Sequence, residues 1–315
     1  DSCRIVSYVN YMRKMENNET IWSRAPLRVG LAGGGTDVAP YSELYGGRVL
    51  NSTINLYAYA SIEPRNDGKV VFESFDLGLK EELENSNFLE PDGQLSLLKG
   101  VYNRIMSKYS LSPLSFKLST FVDAPPGSGL GTSSTLVVSI LGAFVEWLGL
   151  PLGEYEIANE AYGIERLDLR MSGGKQDQYA ATFGGFNFME FSDNDKVIVN
   201  PLRIKQETIN TLEVCLMLYH LGTSRLSSSI IDTMKNNVTT NNEESIEALH
   251  LVKKQAITMK EAILTSDLIK FSEVMNEGWE HKKRVAKGIT NPKIDKIYDS
   301  AIKAGALAGR ISGAG

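Results

Sequence analysis

The chain has 315 residues, 42% of them hydrophobic and 23% charged, the balance of a globular protein with a core large enough for one large domain or two modest ones. Its formal net charge of -5 excludes a general nucleic-acid binder, which would carry a basic surface, but leaves room for a local basic pocket. The two cysteines, Cys3 and Cys215, form no Cys-x-x-Cys pair, which excludes a zinc signature and a disulfide framework.

In chain order, residues 1–20 are polar and mixed in charge. They lack the apolar centre of a secretory signal and read as an extension outside the fold. Ala25 to Ala32 reads as a strand that runs into Gly33-Gly34-Gly35. Val49 to Ile62 is β-branched and aromatic, one or two strands, and Val70 to Ser74 is another. Leu97 to Tyr109 has helical spacing and Leu114 to Val122 is strand-like. A loop follows, then Thr135 to Leu148, apolar nearly all round and so a buried helix. Tyr155 to Leu169 is a second helix, Ser172 to Gly174 a turn, Gln176 to Thr182 a short helix halted by Gly184-Gly185, and Phe186 to Phe191 a strand.

The second half predicts a strand over Val214 to His220, a loop at Gly222 to Arg225, and amphipathic helices over Ser227 to Met234, Glu243 to Leu264, Leu268 to Lys287 and Pro292 to Ala304. A short strand is expected at Leu307 to Ile311. The stop at Ser312-Gly-Ala-Gly315, in the middle of a glycine turn, leads to the expectation that the natural protein continues. No apolar run approaches the roughly 18 residues of a membrane span, so no membrane partner is expected and a reducing cytoplasm is the simplest compartment. The order of elements is that of an α+β protein with two lobes, over 21–204 and 205–315.

Pro125 to Ser134, Pro-Pro-Gly-Ser-Gly-Leu-Gly-Thr-Ser-Ser, carries the chemistry. Gly127, Gly129 and Gly131 remove side-chain bulk, so backbone N–H groups can approach an anion closely. The helix that follows adds free N–H groups and the positive end of its dipole. The hydroxyls of Thr132, Ser133 and Ser134 can cap the helix, bind phosphate or ligate Mg²⁺. Pro126, Ser128 and Leu130 complete this cradle for a triphosphate. It is neither a Walker A loop nor a dinucleotide fingerprint. The competing reading is an ordinary loop with a serine N-cap.

This loop resembles the second motif of the GHMP kinases, the family of galactokinase, homoserine kinase, mevalonate kinase and phosphomevalonate kinase. Ala25-Pro-Leu-Arg-Val-Gly-Leu-Ala-Gly-Gly-Gly-Thr-Asp37 resembles their first motif, and Gly309-Arg-Ile-Ser-Gly-Ala-Gly315 the start of their third. Within the family, Leu31 to Val38 with Pro40-Tyr41, and Ser172 to Ala180, are similar to the kinases of D-glycero-D-manno-heptose 7-phosphate. The resemblance implies an N-terminal lobe like ribosomal protein S5 domain 2 and a ferredoxin-like C-terminal lobe, with ATP and substrate between them. It implies transfer from ATP, with Mg²⁺, to the anomeric hydroxyl of a small sugar phosphate. A kinase of a free sugar such as fucose or galactose, or a sensor that binds ATP and sugar without turnover, are the alternatives. A homodimer is left open.

The same resemblance assigns roles. Asp177 would orient the attacking hydroxyl and accept its proton, and Arg28 would face it. Mg²⁺ would sit between Ser133 and Glu165, with Glu160 a weaker rival. Asp37, helped by Thr36, would take sugar hydroxyls. Gly34 and Gly35 stand where galactokinases carry a Glu-His pair and are expected to open space for a longer sugar. Lys175 and Arg225 would hold the substrate's own phosphate. His281-Lys-Lys-Arg284 reads as a solvated helix face, His220 and His250 as structural, and Trp147 and Trp279 as core.

Overall fold

The computed structural model describes residues 19–109, 112–192, 196–221 and 227–313. Its strands are β1 (Ile21–Ala32), β2 (Gly47–Pro64), β3 (Lys69–Ser74), β4 (Leu79–Glu84), β5 (Phe116–Val122), β6 (Phe186–Phe191) and β7 (Val197–Pro201). All belong to one seven-stranded sheet. The helices are α1 (Tyr41–Tyr45), α2 (Ser96–Tyr109), α3 (Thr132–Leu148), α4 (Glu154–Gly163), α5 (Gln176–Phe183), α6 (Gln206–Cys215), α7 (Ser227–Thr239), α8 (Glu243–Leu264), α9 (Leu268–Val285) and α10 (Pro292–Lys303). No helix among the described residues is long and apolar enough to cross a membrane.

β2 is the spine. One of its edges pairs antiparallel with β1 from Leu50 to Ile62, and the other pairs with β6 over Gly47–Ser52 and with β5 over Ala58–Pro64. β3 joins β5 in parallel, while β4 and β7 close the two ends in antiparallel pairs. The lower half of β2 is covered on both faces. Val49 packs with Met189, Ala158 and Tyr179 on one side, and Leu50 packs with Phe188, Met259 and Phe271 on the other. That double covering explains why the segment reads as a nearly continuous apolar run. The largest core lies between α2, α3 and the sheet. There Phe116 is fully buried and meets Phe72, Tyr102, Phe144 and Trp147 with ring centroids 5.4–6.1 Å apart. Trp147 and Trp279 are core residues, as their surroundings in the sequence suggested.

Several expectations are corrected. α3 begins three residues early, at Thr132, because the left-handed Gly131 caps it without help from a side chain. β4 was missed: its Leu-Lys-Glu-Glu-Leu-Glu sequence is two-thirds charged, and only the pairing with β3 reveals it as an edge strand. β7 is a similar edge strand that buries only Val199. Val214 to His220 is not a strand. Its first two residues end α6, and no strand among the described residues pairs with the rest, which leaves Val214, Met217, Leu218 and Tyr219 exposed. Leu307 to Ile311 is likewise held without a ladder, by Asn276, which donates from Nδ2 to Leu307 O and accepts from Gly309 N–H at Oδ1. Among the described residues no strand follows Pro201, so the second half adds helices only.

Phe116→Ala should cost about 3–5 kcal/mol of unfolding free energy, the usual range for emptying a large aromatic site. Urea unfolding measures it, and a loss below about 1 kcal/mol would contradict this packing.

Candidate active site

The first, second and third glycine-rich segments meet at the end of β1. Arg28, 4% exposed, donates from Nε and Nη2 to a single oxygen of Asp177, Oδ1, at 2.7 and 2.6 Å. Its third nitrogen, Nη1, donates to the carbonyl of Gly129 at 2.6 Å, and its backbone N–H donates to Leu130 O at 3.1 Å. One guanidinium therefore fixes a carboxylate and the loop before α3. Among the described residues no donor reaches the other oxygen of Asp177. That oxygen faces the cap of α3: a Cβ built on Gly131 would lie 3.3 Å from Oδ2. The ladder between β1 and β2 shifts register between Pro26 and Arg28, and such irregularities re-aim side chains next to sites.

The third segment lies across the second. Ser312 Oγ donates to Gly129 O at 3.2 Å and accepts from Gly30 N–H at 3.3 Å. Gly129 has φ +78°, and a Cβ there would come within 2.6 Å of Ser312 O. Only glycine suits both the left-handed backbone and the close crossing. In α3, Ser134 Oγ accepts from Gln178 Nε2 at 3.1 Å and Thr135 Oγ1 returns to Gly131 O. No side-chain hydroxyl caps the helix.

Glu165 sits in a π-helical turn, Ile164–Asp168, that continues α4. It is 1% exposed, accepts from Ser133 Oγ at 2.9 Å on Oε1, and accepts from Gln178 Nε2 at 2.5 Å on Oε2. The wider turn also aims Arg166 at the carbonyl of Gly174, which accepts from Nε and Nη2 at 3.4 and 3.3 Å. The rival Glu160 is committed elsewhere, paired with Lys108 and Arg104.

The comparisons bear directly on this convergence. Residues 96–185 match the model of the GHMP kinases N terminal domain, and residues 259–315 match that of the GHMP kinases C terminal. A D-glycero-alpha-D-manno-heptose 7-phosphate kinase of Campylobacter jejuni is 49% identical over 94% of this chain and 87% of its own length. The chain belongs to the GHMP kinases. A crystal structure of a D-glycero-D-manno-heptose 1-phosphate kinase from Bacteroides thetaiotaomicron superposes with a TM-score of 0.79 at 49% identity, covering 94% of this chain and 86% of that one. An L-fucokinase/L-fucose-1-P guanylyltransferase of Bacteroides fragilis is 30% identical over 95% of this chain but only 34% of its own length.

In this GHMP kinase the residues expected on the substrate side behave differently from the glycine loop. Asp37 is 2% exposed and its lone pairs are taken. Oδ1 accepts from Gly35 N–H at 3.1 Å and Gln176 Nε2 at 3.2 Å, and Oδ2 accepts from Lys175 and Gln176 N–H at 3.0 and 3.1 Å. A Cβ at Gly174 would stand 2.0 Å from Oδ2, so the two turns touch only because that residue is glycine. Burial raises the Asp37 carboxyl above its ordinary range; the Gln176 N–H opposes this and the nearby Asp177 charge adds to it. Asp37 therefore braces the two turns, and a sugar hydroxyl would have to displace the one movable donor, Gln176 Nε2. Thr36 is also structural: its fully buried hydroxyl faces Gly33 O and Arg48 O and accepts from Arg48 N–H.

The space expected at Gly34 and Gly35 is filled. A Cβ on Gly35 would meet Met234 Sδ at 3.3 Å, and one on Gly34 would meet Gln176 Nε2 at 3.6 Å. The Lys175 ammonium lies 5.2 Å over the ring of Tyr162 and lines a small cavity with Asn159, Tyr162 and Tyr179, so it reports to α4. Arg225 lies outside the described residues. His250 is structural as read, its Nδ1 2.7 Å from Tyr41 Oη. His281-Lys-Lys-Arg284 is not a uniformly solvated face, because Lys282 is 4% exposed. Sequence reading also missed Gln176 and Gln178, whose neighbour Asp177 drew the attention; their amides bond the site's two other carboxylates, Asp37 and Glu165.

Asp37→Asn places an amide N–H₂ against donors that Asp37 now satisfies. Leaving such buried donors unpaired should cost about 1–3 kcal/mol in urea unfolding. Unchanged stability would show that the carboxylate does not brace the turns.

Proposed function

We propose that this chain transfers the γ-phosphoryl group of ATP to the anomeric hydroxyl of D-glycero-D-manno-heptose 7-phosphate, giving the 1,7-bisphosphate and ADP. The observation that carries the chemistry is the one-sided grip of Arg28 on Asp177. With Oδ1 held by two N–H groups, Oδ2 keeps its lone pairs for the substrate hydroxyl beside the phosphate loop. The substrate follows from the 49% identity to the Campylobacter jejuni kinase.

In the reaction the sugar oxygen forms a bond to the γ-phosphorus as the bond to the β-bridging oxygen breaks. Its proton passes to Asp177, whose position rather than its basicity does most of the work in such a loose transition state. Backbone N–H groups of residues 127–134 and the N-terminus of α3 stabilise the phosphates, and the Arg28 charge beside them favours the transition state over the ground state. The family resemblance also calls for Mg²⁺. Ser133 and Glu165 fit a hard cation, since they offer oxygen donors alone and Mg²⁺ commonly takes one carboxylate plus phosphates and water. A Mg²⁺ held by these two would neutralise charge on the triphosphate.

Two relatives differ in name over the phosphate already present, at position 7 or at position 1. ADP release with heptose 7-phosphate, heptose 1-phosphate, unphosphorylated heptose, fucose and galactose separates the readings. The 7-phosphate should exceed each of the others by at least about tenfold in kcat/KM, the worth of one charge-assisted contact. A preference for a free sugar would overturn the assignment in favour of a free-sugar kinase, and no ADP release with any would favour a sensor. Asp177→Asn should keep ATP binding and lower kcat by at least about 10²-fold, as expected for a lost positioned base; near-normal kcat would remove Asp177 from the chemistry.

A further inference from the structure

The side chain that the sequence least advertises is Lys282. It lies on α9 in a run of four basic or titratable residues, yet it is 4% exposed and its ammonium donates to the carbonyl of Gly313. One turn earlier, on the same face of α9, is Gly278. A Cβ there would come within 3.1 Å of Gln255 Oε1, with Nη1 of Arg310 3.9 Å away, so this face of the helix lies against both side chains. Arg310 Nη1 donates to Leu31 O at 2.7 Å, just before the glycine turn that follows β1. Its Nε is buried with no hydrogen-bond partner among the described residues. Two cations thus flank the place where the first and third motifs meet.

Neither cation forms an ion pair with a carboxylate among the described residues. The charges acting on Lys282 are those of Arg310 and Arg28, which repel it, and that of Asp37, which attracts it more weakly. Burial, with those two repulsions, holds the Lys282 ammonium well below the ordinary lysine range, and burial alone brings Arg310 down to about 10. Buried like charges without a counter-charge are costly to keep. Their cost falls if a ligand supplies an anion with several acceptor oxygens, and a guanidinium and an ammonium side by side suit a phosphate.

We propose that Lys282 and Arg310 form a phosphate-binding pair that receives the phosphate monoester of the sugar substrate. The pair would do the work that the sequence assigned to Lys175 and Arg225. It rests on the reading of this chain as a sugar-phosphate kinase. The same chemistry would suit the terminal phosphate of ATP, and the arms of the test separate the two sources.

Lys282→Met keeps the length of the side chain and removes its charge. It should lower kcat/KM for heptose 7-phosphate by about 10- to 150-fold, the worth of one charge-assisted hydrogen bond. For unphosphorylated heptose, and in KM for ATP, the change should stay below about threefold, because neither engages the pair. Equal losses on both sugars with a raised KM for ATP would overturn the sugar arm and put the pair on the nucleotide. A change below about threefold on every substrate would overturn the pair altogether. A purely supporting role for Lys282 would instead lower the melting temperature of the unliganded variant, and Arg310→Gln repeats the comparison if Lys282→Met does not fold. Independently of turnover, inorganic phosphate should raise the melting temperature of the unmutated protein more than that of the variant, and equal rises would overturn the pair. That arm still decides the pair if no sugar phosphate proves to be a substrate.

Discussion

The site depends on a single guanidinium. Arg28 binds one oxygen of Asp177 with two nitrogens and the Gly129 carbonyl with its third, all between 2.6 and 2.7 Å. A planar fork with donors in fixed directions can do this, whereas an ammonium on a flexible stem could not hold both partners in register. The position of the Asp177 carboxylate and the shape of the glycine loop are therefore one constraint. Arg28 is in turn fixed by β1, which pairs with the central strand from Leu50 to Ile62, and by its own N–H on Leu130 O. The sheet thus passes its rigidity to the Asp177 carboxylate through one side chain.

Around that centre the glycine segments work through backbone. Gly129 and Gly313 cross so closely that a Cβ on Gly313 would lie 2.9 Å from Gly129 atoms. Ser312 then ties β1 to the loop from the far side. The carboxylates each have a fixed set of donors: Asp37 the two turns, Glu165 Ser133 and Gln178, Asp177 only Arg28. Of these three, Asp177 alone keeps an oxygen with no protein donor among the described residues. Asp37, with four donors on its two oxygens, is the one that ties the two turns together.

Much of this was legible in the residues. The strand before Gly33-Gly34-Gly35, the buried helix after the glycine loop, and the pairing of Arg28 with Asp177 and Ser133 with Glu165 are all present where the motifs put them. These features leave local marks: β-branched runs, glycine spacing, an apolar helix. What was not legible depends on contacts far apart in the chain. β4 is two-thirds charged and becomes a strand only beside β3. Asp37 looked like a ligand for sugar hydroxyls because a lone aspartate after a glycine turn shows no sign of the four N–H groups, three of them from Lys175 and Gln176, that occupy it. Gly34 and Gly35 looked like empty space because nothing in their own segment announces Met234. Lys282 sits in a basic run that a solvated face would also carry, and only the packing of α9 under the third motif separates it from its neighbours.

The central claim is that the Arg28 guanidinium and the Asp177 carboxylate act as one unit. A double-mutant cycle of Arg28→Met and Asp177→Asn, read as kcat with ATP and heptose 7-phosphate, tests it most directly. If they are one unit, the double variant should be no slower than the slower single variant, to within about threefold, since removing either partner already dismantles the arrangement. Losses that multiply in the double variant would show two independent contributions and would contradict the account.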